Sequence, residues 1–103
     1  MPIHLCKLLA PRSTFPGDIT PGEAEAMGAH AAYWTRMAEG GHALVVGPVL
    51  DPAGVWGVAV VEAADAAAAT ALTDADPIIT AGLGFRYEIY PIPQAILRPT
   101  SPS

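Results

Sequence analysis

The order of short apolar segments and helical segments constrains the fold of this 103-residue chain more than any other feature. Short apolar segments with β-branched or alternating residues are typical of strands, and longer segments with apolar residues three and four apart are typical of helices. The predicted strands cover residues 3–9, 42–50, 55–62 and 85–90, and the predicted helices cover residues 21–39 and 64–75. The predicted order is therefore β-α-β-β-α-β.

The first predicted helix has a start signal and a stop signal. Thr20 is a typical N-cap, Pro21 suits the first helical position, and Glu23 completes a capping box with Thr20. Gly40 and Gly41 follow, where a left-handed residue ends a helix at little cost. Within the helix, one apolar face is predicted from residues at helical spacing: Met27, His30, Ala31, Trp34, Met37 and Ala38.

A turn joins the second and third predicted strands into a hairpin. Its sequence, Asp51-Pro52-Ala53-Gly54, has the residue types that a β-turn favours at its first, second and fourth positions. Right-handed crossovers then favour a ferredoxin-like α+β fold, with a four-stranded antiparallel sheet and both helices on one face. We expect one domain over residues 1–94 and an extended or disordered tail over residues 95–103.

The third predicted strand is apolar on both sides, which predicts a partner for the open sheet face. Its two alternating sets are Val55, Gly57, Ala59 and Val61, and Trp56, Val58 and Val60. Helices on one face cover only one of these sets. The sequence therefore predicts a homodimer that forms through the uncovered face.

Charge and composition argue against several classes of protein. With Lys+Arg 5 against Asp+Glu 10, the formal charge is −5, which is unlike a nucleic-acid-binding protein. No apolar run approaches the roughly 20 residues of a membrane span. The N-terminus does not resemble a signal peptide, so a cytoplasmic protein is expected. The three His residues lack metal-ligand spacing and there is one Cys, so no metal site is predicted.

His30 is the first candidate for chemistry. It lies in the middle of the first helix, between Met27 and Trp34, on the face that should meet the sheet. A buried imidazole needs a hydrogen-bond partner. One interpretation is a core histidine whose partner serves only the structure; the other is a catalytic residue.

Asp76, at the end of the second helix, is the second candidate. An Asp-Pro pair commonly marks a turn or a cap, which is the simpler interpretation. In the predicted fold the two helices are neighbours, so Asp76 can approach His30. A carboxylate that accepts from one imidazole nitrogen fixes the tautomer and prepares the other nitrogen for proton transfer. The two residues would then form a catalytic dyad.

Aromatic residues and one arginine are candidates for substrate binding. Aromatic side chains can line an apolar pocket or can simply belong to the core or to a dimer interface. Arg12 can meet an anionic substrate group or can be a solvated surface residue. The predicted substrate-binding residues are Arg12, Tyr33, Trp34 and Trp56, and further candidate pocket aromatics are Phe85 and Tyr87.

Several short motifs, in this order and spacing, resemble the YCII-related (YciI-like) family of small dimeric α+β proteins over roughly residues 3–94. The motifs are Leu8-Leu9-Ala10-Pro11-Arg12, His30-Ala31-Ala32-Tyr33-Trp34, Gly47-Pro48-Val49-Leu50-Asp51-Pro52, Ala75-Asp76-Pro77, Ala81-Gly82-Leu83 and Glu88-Ile89-Tyr90-Pro91. The resemblance implies a ferredoxin-like fold of the dimeric α/β-barrel type. It also implies a His–Asp active-site pair at His30 and Asp76. One branch of the family is similar to a dehydrochlorinase that acts on a chlorinated hydroxyhydroquinone.

Two functions follow from these residues. The first is a lyase or isomerase without a cofactor, in which His30 and Asp76 transfer a proton of a small organic substrate, phenolic or cyclic in type. No nucleotide, flavin or metal motif is present in the sequence, so no cofactor is predicted. The second is a non-catalytic dimeric module that binds a small molecule, with His30 as a structural residue.

Overall fold

The computed structural model describes residues 2–99 and has the predicted order of elements. The predicted β-α-β-β-α-β order is confirmed, with one short helix added before the last strand. The elements are β1 (Ile3–Leu9), α1 (Pro21–Glu39), β2 (Ala43–Val49), β3 (Trp56–Glu62), α2 (Ala66–Asp74), α3 (Pro77–Thr80) and β4 (Arg86–Ile92).

The four strands form one antiparallel sheet in the order β2-β3-β1-β4, which fits the predicted ferredoxin-like α+β fold. Side chains that are paired across strands share a face of the sheet. One row across all four strands faces the helices: Val46, Ala59, Cys6 and Ile89. The next row lies on the opposite face: Val45, Val60, Leu5 and Tyr90.

Helix α1 begins with the predicted capping box. The Thr20 hydroxyl accepts from the Glu23 amide at 3.2 Å, and the Glu23 carboxylate accepts from the Thr20 amide at 2.9 Å. After the helix, Gly41 has a φ of +83°, which a residue without a Cβ adopts at little cost. The helix therefore starts and stops where local hydrogen bonding favours it.

Both long helices pack against the same face of the sheet. Tyr33 and Trp34 of α1 and Ala69 of α2 belong to one buried cluster with Cys6 and Val61 of the sheet. A second cluster lies under the loop that joins β1 to α1, where the rings of Phe15 and Phe85 meet edge to face with centroids 5.1 Å apart. Its buried members are Leu8, Phe15, Ala26, Ile78 and Phe85.

The buried face of α1 is turned relative to the predicted one. Ala26, Tyr33 and Trp34 are buried, whereas Ala31 and Ala38, which were expected on that face, are exposed. The physical reason is that the apolar surface of α1 is divided between two environments. One side packs on the sheet, and the neighbouring side borders an open cavity.

The strand and helix limits differ from the predicted ones by a few residues, as fraying and capping at element ends lead one to expect. Residues 95–99 form no helix or strand, and residues 100–103 of the predicted tail lie outside the described part of the chain. Within residues 2–99, none of the helices combines the length and the apolar character that crossing a membrane requires.

Candidate active site

Asp76 occupies the N-cap of α3, which aims its carboxylate in two directions. Oδ1 accepts from the backbone amide of Ile78 at 3.0 Å, and Pro77 takes the first helical position. An Asp-Pro sequence favours this local arrangement, because proline has no N–H group and the first position of a helix does not require one. The predicted capping role is therefore present, and it leaves the other oxygen, Oδ2, free to accept from distant residues.

Oδ2 of Asp76 accepts three side-chain hydrogen bonds. The donors are His30 Nδ1 at 2.7 Å, Trp34 Nε1 at 2.8 Å and the Tyr87 hydroxyl at 2.6 Å. His30 and Trp34 lie four residues apart on α1, so both point to the same side of the helix. Tyr87 comes from β4. Side chains from two elements, α1 and β4, thus converge on one buried oxygen at the start of α3.

The carboxyl of Asp76 is ionised at neutral pH although the residue is completely buried. Burial raises the pKa of Asp76. Hydrogen bonds from His30, Tyr87, the Ile78 amide and Trp34 lower it by more than burial raises it, so the pKa lies below its ordinary value. Burial, the hydrogen bond to Asp76 and the charge on Asp76 all raise the pKa of Tyr87. Tyr87 therefore stays protonated and acts as a donor.

His30 presents one nitrogen to Asp76 and the other to a cavity. An ionised carboxylate only accepts hydrogen bonds, so Nδ1 carries a proton, and in the neutral imidazole Nε2 then has the lone pair. Among residues 2–99 no hydrogen bond engages Nε2, and the side chain keeps 14% of its surface exposed. His30 lines a cavity of about 630 Å³. Nε2 is therefore placed to exchange a proton with a molecule in that cavity.

The cavity lies between α1, the β2–β3 hairpin and the loop after β1, and its walls are mostly apolar. Trp34 and Trp56, both predicted to bind substrate, contribute to its lining, as do Phe85 and Tyr87. Its volume is within the range of small-molecule sites. Further apolar residues that line it include Leu8, Phe15, Ile19, Met27, Val46, Pro48 and Val58, and Thr35 and Glu39 are polar residues of the lining.

Tyr33 lies elsewhere. Its hydroxyl donates to the Leu72 carbonyl at 2.6 Å, and its ring meets Trp34 edge to face with centroids 5.2 Å apart. The residue is buried and does not line the cavity. The structure therefore places Tyr33 behind Trp34, as a support for the site and not as part of its surface.

Arg12 is held by two carboxylates of its own chain. Its guanidinium donates to both oxygens of Glu23, at 2.7 and 2.6 Å, and to the side chain and carbonyl of Asp18, each at 2.9 Å. The hydrogen bond from Arg12, followed by that from the Thr20 amide, lowers the pKa of Glu23 to about 2. Arg12 lines a separate cavity of about 400 Å³. The structure does not bring it to the His30 cavity.

Sequence reasoning missed the second role of Tyr87. Tyr87 is a candidate pocket aromatic from the sequence, and the structure places it, half-buried, in the cavity lining. Its hydroxyl also holds Asp76, and that contact depends on how β4 lies beside α3. Eleven residues separate Tyr87 and Asp76, and no local motif signals the contact.

Two other residues with nucleophile or ligand chemistry, Cys6 and His4, do not line the cavity. Cys6 is buried in the core, where burial raises the pKa of its thiol to about 11, so it is not a thiolate at neutral pH. His4 is buried in β1 and does not line the cavity. Within the described residues, no group of three or more His, Cys, Asp or Glu side chains is arranged to hold a metal ion.

Comparison with known families agrees with the resemblance seen in the motifs. A family model described as the YCII-related domain matches residues 12–93, which includes both His30 and Asp76. No curated protein matches the chain significantly. The family model covers most of the sequence, from the loop after β1 to the end of β4. The chain therefore belongs to the YCII-related domain family.

Proposed function

We propose that this protein is a lyase or isomerase that uses His30 as its general base and general acid and requires no cofactor. The observation that carries the proposal is the 2.7 Å contact between His30 Nδ1 and Asp76 Oδ2, together with the opening of the His30 side chain to a cavity of about 630 Å³. Asp76 is the positioning residue. Trp34 and Tyr87 hold Asp76 in turn.

The proposed reaction begins with proton transfer to Nε2 of His30. The substrate loses a proton from an acidic C–H or O–H group, and the resulting imidazolium is stabilised by the ionised carboxylate of Asp76. In an isomerisation, His30 returns the proton to another atom of the substrate. In an elimination, the C–H electron pair forms the new double bond, the leaving group departs with its own electron pair, and the proton passes from His30 to solvent.

Deuterium exchange into bound compounds tests this proposal. Neutral cyclic ketones and phenols are first screened for binding, and the compounds that bind are incubated with the protein in D₂O and followed by NMR. We expect deuterium to enter, or the double bond to move, at a rate that falls when His30 is replaced by Ala.

The same experiment distinguishes the alternative function. Compounds that bind tightly while exchange remains at the uncatalysed rate would support a non-catalytic binding module. Exchange that is as fast with His30→Ala as with the unchanged protein would contradict a catalytic role for His30. Substitution of Ala32, which is exposed on α1 and does not line the cavity, serves as the control.

We also propose that two copies of the chain associate through the uncovered sheet face. The row formed by Val45, Val60, Leu5 and Tyr90 lies opposite the helices, and Val45 and Tyr90 keep 57% and 49% of their surface exposed. Exposed apolar side chains in a continuous row favour association. The proposed assembly is the homodimer predicted from the two apolar sides of β3.

A further inference from the structure

We infer that the cavity at His30 takes a substrate that is electrically neutral and apolar around its reacting C–H or O–H group, and that it discriminates against anionic compounds of the same shape. This inference rests on the proposed function, which makes this cavity the substrate site. Arg12, the residue that the sequence offers as a partner for an anionic group, lies outside this cavity.

No lysine or arginine lines the cavity, although all five lie in the described part of the chain. Arg12 uses four hydrogen bonds on Asp18 and Glu23. Lys7 lies with Nζ 4.8 Å from the ring centroid of Trp56 and lines the cavity of about 400 Å³ that Arg12 also lines. The remaining three are exposed: Arg36, Arg86 and Arg98. None of the five cations therefore lines the His30 cavity, although Lys7 and Arg12 each lie against one of its wall residues, Trp56 and Phe15.

Among the described residues, the carboxylate that lines the cavity is Glu39, on the last turn of α1. A second carboxylate, the ionised Asp76, lies directly behind His30. When His30 is neutral, these two carboxylates disfavour an anion in the cavity before any reaction. A neutral substrate avoids this repulsion. When it gives its proton to Nε2, its new negative charge forms beside the new imidazolium, so the total charge of the site does not change.

The walls of the cavity also favour an apolar molecule. Met27, Val46 and Phe85 line it, and their side chains offer no hydrogen bonds to a charged group. Transferring an unpaired charge from water to such surroundings is costly, whereas an apolar ring gains from leaving water. Charge and wall chemistry thus favour the same class of ligand.

A matched pair of probes tests the inference. 1-Naphthamide and 1-naphthoate have nearly the same shape, but at pH 7 the first is neutral and the second is an anion. Isothermal titration calorimetry measures their affinities for the full chain. We expect the amide to bind on the order of tenfold more tightly, or better, because the anion meets repulsion from a nearby carboxylate. Equal or tighter binding of the naphthoate would overturn the inference, and so would failure of the amide to saturate the protein.

Two matched variants locate the binding. Ala31 is exposed on α1 and lines the cavity, whereas its neighbour Ala32 is exposed but does not line it. Ala31→Trp should weaken amide binding at least tenfold, and Ala32→Trp should leave it within twofold. If the two substitutions weakened amide binding equally, the probe would bind outside the His30 cavity, and the inference would be overturned. Calorimetry measures binding without turnover, so this inference and the proposed function can fail separately. The preference for the neutral probe can hold even if His30→Ala shows that His30 has no catalytic role. It can also fail even if His30 proves catalytic.

Discussion

His30 and Asp76 lie 46 residues apart in the chain, yet His30 Nδ1 is 2.7 Å from Asp76 Oδ2. The contact is possible because α3 begins beside the middle of α1, and because the local cap of α3 uses only one of the two carboxylate oxygens. The second oxygen is completely buried and is surrounded by three side-chain donors. The pair therefore has a fixed geometry, with one imidazole nitrogen turned toward the cavity.

Replacing His30 by Ala should reduce turnover about 10²- to 10⁴-fold, since it removes the proposed proton-transfer group. The fold should persist because the substituted side chain borders an open cavity and Asp76 keeps three other donors. Rates are measured on a compound identified by the deuterium exchange screen, and circular dichroism checks the fold. His42→Ala is the control, because His42 is exposed just before β2. Retention of full turnover by His30→Ala would contradict the proposed mechanism.

Replacing Tyr87 by Phe should lower the free energy of unfolding by about 1.5–3 kcal/mol, because it removes a hydrogen bond to a buried charge. The ring stays in place, so little packing is lost. Urea denaturation measures the change. Thr14→Val is the control: the Thr14 hydroxyl donates to Asp18 at 2.6 Å on the exposed surface, and its removal should cost much less. Equal losses in the two variants would show that Asp76 does not depend on Tyr87.

Replacing Arg12 by Met should change how stability depends on acid. The pKa of Glu23 is about 2 in the folded protein against an ordinary value of 4.5. A carboxylate whose pKa is lower in the folded state than in the unfolded state stabilises the fold. This stabilisation is fully present at pH values above the unfolded-state pKa, and it is lost as the pH falls through the folded-state pKa. The stability advantage of the unchanged protein over Arg12→Met should therefore be largest near neutral pH and should shrink between pH 4.5 and about 2.

Urea denaturation at several pH values measures that advantage. Arg98→Met, which alters an exposed residue beyond β4, should show no such trend. An advantage that stays constant between pH 7 and pH 2.5 would mean that the ion pair does not set the acid response.

Replacing Val60 by Lys should convert the proposed dimer to a monomer. Val60 pairs with Leu5 and Val45 in the centre of the uncovered face, and a charge placed there would be buried in the interface. Sedimentation equilibrium measures the mass of each form. Ala67→Lys, on the exposed surface of α2, should leave the mass unchanged. A monomeric unchanged protein, or a dimeric Val60→Lys variant, would contradict association through this face.

The candidate site was partly predictable from the sequence. The position of His30 on α1 and the position of Asp76 after α2 follow from helical spacing and an Asp-Pro cap, and the element order suggests that the two helices are neighbours. The donors Trp34 and Tyr87 could not be assigned to Asp76 in the same way. Their contacts depend on sheet register and on the rotation of α1, which residue spacing does not determine.

The sequence by itself determined the four strands and the two longer helices, since strands, caps and turns depend on residues within a few positions of one another. The capping box of α1 and the hairpin turn are of this kind. Only the tertiary structure decided which side of α1 packs on the sheet and which borders the cavity. It also paired Arg12 with Asp18 and Glu23, away from that cavity. Such contacts arise from packing between elements, where a small rotation changes which side chains meet.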